Sequence, residues 1–220
     1  SFQFERAFDV GGQPTVDVST LRGKIEILAS QPGRIVVTGA ATVRVGWNVP
    51  ADAVELAKRV AAAPPIERDG ETLRLRPPSD TTSQRAVIVS YQVRVPPMTI
   101  VRTNSDSGAT TIRGVAGSVD VRTKSAAIDL SSLAGSVTVT TGSGAVRVDS
   151  VTGALTGTTD SSSFNASRIG SSLRVRTQSG AIDATLTGTG DVDVESGSSA
   201  IRLSGLRGGL TAKTRSGRIT

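Results

Sequence analysis

A hydroxyl pair recurs seven times in this chain. Its first member is Ser105, Thr123, Thr141, Thr159, Thr177, Ser196 or Thr214. Its second, two residues on, is Ser107, Ser125, Ser143, Ser161, Ser179, Ser198 or Ser216. Such a ladder could be a row of nucleophiles or an ice-binding array. A serine nucleophile needs a base, and the chain has no His and no Lys recurring beside the ladder. The absence of both His and Cys also excludes a disulfide framework, a thiolate zinc site and a histidine metal cage. Asp129, Arg147 and Asp149 form the other candidate cluster. Cleavage of an acidic polysaccharide needs two carboxylates about 5–10 Å apart, or Asp with calcium and Arg. These carboxylates look paired with arginine, and aromatic platforms for sugars are scarce, at 3% of residues. No catalytic residue, metal or cofactor is therefore expected. Five arginines, Arg147, Arg174, Arg176, Arg202 and Arg207, are the candidate surface contacts.

These residues sit on a repeat. From Ser105 onward the chain divides into 18-residue units, six complete and one truncated, with one extra residue in the fifth near Gly188 to Gly190. Position 6 holds Thr110, Ile128, Val146, Phe164, Ile182, Ile201 and Ile219. Positions 8, 15 and 17 are also mostly aliphatic, and position 11 is Val115, Leu133, Val151, Ile169 or Leu206. Positions 6 and 8, then 15 and 17, alternate with polar neighbours, which is the period of a strand with one buried face. Glycine corners such as Gly117, Gly135 and Gly153 separate the strands. One unit cannot bury its own apolar face, but stacked units can. The pattern predicts an all-β fold, a parallel β-solenoid (β-helix) with coils of about 18 residues. Parallel crossovers favour a right-handed coil.

Two polar columns follow from stacking. Position 7 reads Thr111, Asp129, Arg147, Asn165, Asp183 and Arg202, so Asp129 should lie beside Arg147 and Asp183 beside Arg202. Mixed signs suit register control better than a binding stripe. The hydroxyl pairs share the parity of the buried positions 15 and 17. Both members are expected to point inward, which argues against ice binding. The corners read Ser-Gly-Ala or Ala-Gly-Ser rather than the Gly- and Asp-rich calcium nonapeptide, so no calcium site is expected.

The front of the chain is less regular. Residues 1–104 are read as a β-rich cap that begins the solenoid, and 105–220 as its regular stack, in one continuous fold. Strands are expected near 15–19, 24–28, 34–38, 41–46, 72–76 and 86–95. A single helix is expected over 51–63, with Pro50 in its first turn, Glu55 and Arg59 spaced for an ion pair, and Pro64-Pro65 ending it. The stretch 77–85 reads as a polar loop. The end near Thr220 shows no cap, which suggests that the natural protein continues, or that this end meets a partner or another copy.

Charge is spread evenly. Residues 1–104 carry 13 basic and 10 acidic side chains, and residues 105–220 carry 12 and 9. Each half is therefore +3, in agreement with the total of +6. No basic run or interleaved aromatics point to nucleic acid. Attraction to acidic polymers or an anionic surface fits better. No apolar stretch is long enough to span a membrane. The chain starts Ser1-Phe2 and its one Met is Met98, so a processed or trimmed chain is expected.

The whole chain resembles the bacterial putative-adhesin family with β-strand repeats. The resemblance lies in Val16-Asp17-Val18, Gly23-Lys24-Ile25-Glu26-Ile27 and the helix at 51–63. Tyr91-Gln92-Val93-Arg94-Val95-Pro96, Thr103-Asn104-Ser105 and the repeated Thr-x-Ser-Gly and Leu-x-Gly-x-Val-x-Val units complete it. It implies a single-chain β-helix in exported or envelope-associated proteins, some linked to envelope stress. It implies no catalytic residues. The expected function is a non-catalytic, extracytoplasmic repeat scaffold, adhesin-like, binding an envelope polymer, glycan or protein. The alternatives are a sensor of envelope stress and a β-helix enzyme that degrades polysaccharide.

Overall fold

A computed structural model describes residues 1–46 and 50–220. The cap region contributes β1 (Phe2–Asp9), β2 (Thr15–Thr20), β3 (Ile25–Ala29), β4 (Arg34–Val43), α1 (Ala53–Ala62), β5 (Ile66–Asp69), β6 (Thr72–Leu75), α2 (Thr81–Ala86) and β7 (Val87–Val95). The stack follows as strand pairs: β8 (Ile100–Ser105) and β9 (Thr110–Arg113), β10 (Val119–Thr123) and β11 (Ile128–Leu133), β12 (Val137–Thr141) and β13 (Val146–Val151). After them come β14 (Leu155–Thr159) and β15 (Phe164–Ile169), β16 (Leu173–Thr177) and β17 (Ile182–Leu186), β18 (Val192–Ser196) and β19 (Ile201–Ser204), then β20 (Leu210–Thr214).

Two ten-stranded sheets enclose one lumen. Sheet A runs β1-β4-β7-β3-β9-β11-β13-β15-β17-β19, and sheet B runs β20-β18-β16-β14-β12-β10-β8-β2-β6-β5. Within the stack every pairing is parallel, and like repeat positions meet: Ile128 pairs Val146, and Val119 pairs Val137. The fold is the expected all-β solenoid. The aliphatic positions of both sheets form a single core. Each fully buried Val, Leu or Ile contributes about 1.5–3 kcal/mol, so the column of coils supplies its own driving force.

Each corner is closed by the first hydroxyl of the pair. Thr123 Oγ1 accepts from the Ala126 N–H at 3.0 Å, Thr141 from Gly144 at 3.0 Å and Thr177 from Gly180 at 2.7 Å. These hydroxyls are buried as expected. The second serine of each pair is not: Ser107 through Ser216 are all exposed. The chain bends right after the first hydroxyl, and the bend reverses the parity. The outward serines form a single file on a corner, not the two-dimensional grid of an ice-binding face. Glycine corners are obligatory where coils touch. A Cβ on Gly135 would lie 2.3 Å from the Gly117 carbonyl oxygen.

Sheet A strands end in a left-handed residue at position 10: Gly114, Ser132, Ser150, Arg168 and Gly205 all have positive φ. This turns position 11 into the lumen. The fifth unit omits the left-handed step, and Leu186 faces inward directly, which shifts the β15–β17 register between Ala166 and Ile169. The longer connection from Leu186 to Val192 restores the stacking, and this accounts for the extra residue near Gly188.

The cap differs from expectation in five ways. β1 is an additional edge strand, antiparallel to β4. β4 is one continuous strand where two were expected, because Gly39 and Ala40 keep it extended between β1 and β7. β5 is a further strand, antiparallel to β6. The expected loop at 77–85 contains α2, because the Asp80 side chain accepts from the Ser83 N–H at 2.7 Å and caps a short helix. In α1, Lys58 rather than Arg59 pairs with Glu55, at 2.8 Å, and Pro50 precedes the Asp52 cap instead of lying in the first turn. Coil order also breaks with chain order. The β6–β7 coil lies outside β2–β3, and β8–β9 joins the opposite side.

Candidate binding face on sheet A

The outward side chains of sheet A are positions 7 and 9. Register places Thr111, Asp129, Arg147, Asn165, Asp183 and Arg202 in one column. A second column holds Arg113, Ser131, Asp149 and Ser167. All of these but Thr111 line an open depression of about 760 Å³, walled on one side by the left-handed Arg168.

Its charges fall into two groups. Asp149 accepts from Ser167 Oγ at 2.5 Å and from the Arg168 guanidinium. Arg168 Nε also donates to Ser150 Oγ at 2.8 Å, which holds this side chain over the strand. Arg202 pairs with Asp183 at 3.5 Å. Arg113 and Arg147 have no acidic group within 4.0 Å among the described residues. Asp129 is the neighbour of Arg147 in register, as the repeat implied, but the two do not form an ion pair. Asp183 and Arg202 meet both expectations.

The five arginines singled out from sequence do not form one surface. Arg147 and Arg202 line the sheet A depression. Arg174 and Arg176 project from the outer face of sheet B, where Asp193 lies 3.3 Å and 3.8 Å from them and Glu195 lies 3.6 Å from Arg176. Arg207 is exposed on the connection between β19 and β20, away from both. Two further arginines of the depression, Arg113 and Arg168, escape the sequence reading. Position 9 is polar without being charged in most units, and position 10 breaks the alternation that marks outward residues.

A second depression of about 420 Å³ lies across β4, β7, β3 and β9, lined by Lys24, Glu26, Thr38, Gln92 and Arg113. Here Gln92 Nε2 donates to Glu26 Oε2 at 3.0 Å. Among the described residues neither depression holds a buried carboxylate or amine. What they offer is hydrogen bonding and charge at fixed steps.

No family model matches the chain, and no curated protein matches it. Among solved structures it is similar to a putative cell adhesion protein from Clostridium sporogenes. Identity is 9%, coverage is 99% of this chain and 97% of that chain, and the TM-score is 0.35. No residue here takes a role from that likeness; the fold rests on the strand registers above. No helix among the described residues is long and apolar enough to cross a membrane. The chain is a β-solenoid repeat scaffold.

Proposed function

We propose that the protein is a non-catalytic, extracytoplasmic, adhesin-like scaffold that binds an envelope polymer or glycan on the outer face of sheet A. One observation carries this reading. Arg113 and Arg147 face an open depression without acidic partners, among hydroxyl and amide groups spaced by the strand repeat. Strand pairing fixes the backbone positions from which these groups project. The outer face of sheet B is a weaker candidate, because its arginines are already engaged by Asp193 and Glu195.

The test is a pull-down on isolated cell-wall and acidic polysaccharides at low and high salt. Binding that survives high salt and is lost in Arg147→Gln supports a shaped site. Binding that disappears with salt, or is equally lost in Arg174→Gln, leaves only the +6 background charge and overturns the reading. Neither the parent nor an Asp129→Asn/Asp149→Asn double variant should change any polymer chemically. Loss of a polymer-cleaving activity in that variant would make the protein an enzyme.

A further inference from the structure

The two depressions of sheet A share Arg113. They are therefore not separate sites but a single track. It crosses the strands along the solenoid axis, from Gln92 on β7 to Arg202 on β19. Seven strand spacings separate those two strands, roughly 34 Å at 4.8 Å each. The one aromatic residue along the track, Tyr91, is buried. The polar lining of the track is Arg, Lys, Asp, Glu, Asn, Gln, Ser and Thr, which can hydrogen-bond a polar hydroxylated chain.

Besides Lys24 at one end, its unpaired cations are Arg113 and Arg147. Arg113 on β9 and Arg147 on β13 stand two strands apart, roughly 10 Å along the axis. Between them Asp129 and Ser131 occupy β11, so positive charge is interrupted rather than continuous. A sugar in an extended glycan advances by about one strand spacing, ~5 Å. We infer that the track takes a linear acidic glycan, laid along the solenoid axis, with its negative charge on alternate sugars. Arg113 and Arg147 meet successive charges. Asp129 faces the uncharged sugar between them as a hydrogen-bond acceptor, and it disfavours a chain charged at every sugar. Asn165 and Ser131 meet ring hydroxyls. This rests on the sheet A reading above and adds to it the length, direction and charge spacing of the ligand.

The experiment is calorimetric titration of the full chain with hyaluronan oligosaccharides of increasing length, which carry a carboxylate on alternate sugars. Polygalacturonate oligosaccharides, charged on every sugar, and neutral dextran serve as comparisons. The expected result is affinity that rises with hyaluronan length up to about 34 Å. Arg113→Gln and Arg147→Gln should each weaken binding by about tenfold, while a thermal melt shows both variants folded. Dextran should not bind, and polygalacturonate should bind more weakly than hyaluronan. A plateau at a disaccharide, or no effect of Arg113→Gln while Arg147→Gln weakens binding, would overturn the continuous track and leave the scaffold reading standing. Equal binding of polygalacturonate would overturn the alternate-charge spacing. Failure of every wall polymer in the pull-down would remove the scaffold reading itself.

Discussion

The cap and the stack solve the same packing problem with different parts. In the stack, Val, Ile and Leu repeat in columns, and the coil at Phe164 is the exception. There a Cβ on Gly157 would lie 2.3 Å from the Phe164 ring, so the large and small residue exchange volume across the lumen. The cap repeats that solution once: Phe4 lies over Gly39, its register partner, where a Cβ would come within 2.1 Å of the ring. Phe4 also meets Tyr91 edge-on at 6.0 Å. The cap then adds a polar latch through a buried tyrosine. Tyr91 Oη donates to the Arg76 carbonyl at 2.7 Å, and the Arg76 guanidinium grips Asp17 at 2.6 Å. A hydrogen bond to Asp17 raises the Arg76 pKa above its ordinary value. Repetition lets the stack do without such locks, since every coil is held by two neighbours. An end has one neighbour and needs irregular contacts.

The sharpest way to break this contrast is at Phe164. Phe164→Ala opens a cavity in the lumen of a stack coil and should cost about 3–5 kcal/mol in denaturant titration. Gly157→Val alone should overpack against the ring and cost about 1–3 kcal/mol. Together, Gly157→Val/Phe164→Ile copies the Val175 and Ile182 of the next coil. It should recover most of the loss, and a double variant no better than the sum of the singles would refute volume exchange.

Tyr91→Phe strands the partly buried Arg76 carbonyl and should cost about 1–3 kcal/mol. Burial pushes the Tyr91 hydroxyl well above its ordinary value. Because the folded group ionises later than the unfolded one, its contribution is complete below about pH 10 and is lost as pH rises further. Stability measured between pH 9 and 11 should therefore fall in the parent and less in Tyr91→Phe, since this is the chain's one tyrosine.

The coil where cap meets stack carries the opposite defect. Thr103 and Thr110 bury hydroxyls that have no hydrogen-bond partner. In the next coil the same positions are Val121 and Ile128. Thr103→Val and Thr110→Val should each stabilise by about 1 kcal/mol, read as a higher midpoint of thermal unfolding.

The smallest effect is expected at α2. Asp80→Ala removes the cap to Ser83 and should cost about 0.5–1 kcal/mol. The Ser83 N–H holds the Asp80 carboxyl below its usual range. That contribution is present above about pH 4 and fades as pH falls, so the acid limb of the stability curve should be shallower in Asp80→Ala.

Legibility in the sequence follows the same division. The stack could be read because a period of 18 residues repeats one decision: Val137 over Val119, Arg202 beside Asp183. The second hydroxyl column was misread because alternation carries no record of a bend one residue earlier. β1 and the place of the β6–β7 coil were not legible, because each depends on contacts with chain far away and occurs once. The binding face was half legible. Arg147 and Arg202 stand out as charges in a column of mixed residues. Arg113 gains its meaning from joining two depressions, and Arg168 from a left-handed backbone that occurs where the strand turns.

The reversal of coil order has a consequence for how the chain is made. The coil written first, β2–β3, is flanked on both sides by chain written later. It cannot be complete until β6 and β7 have left the ribosome. Once Val95 has emerged, the cap presents a finished sheet edge at the growing end of the polypeptide. Each 18 residues thereafter is one coil ready to dock on that template, arriving about every 1–4 s at ordinary rates of synthesis. Growth would then be vectorial, with the cap as its seed and each nascent coil shielding the edge of the one before.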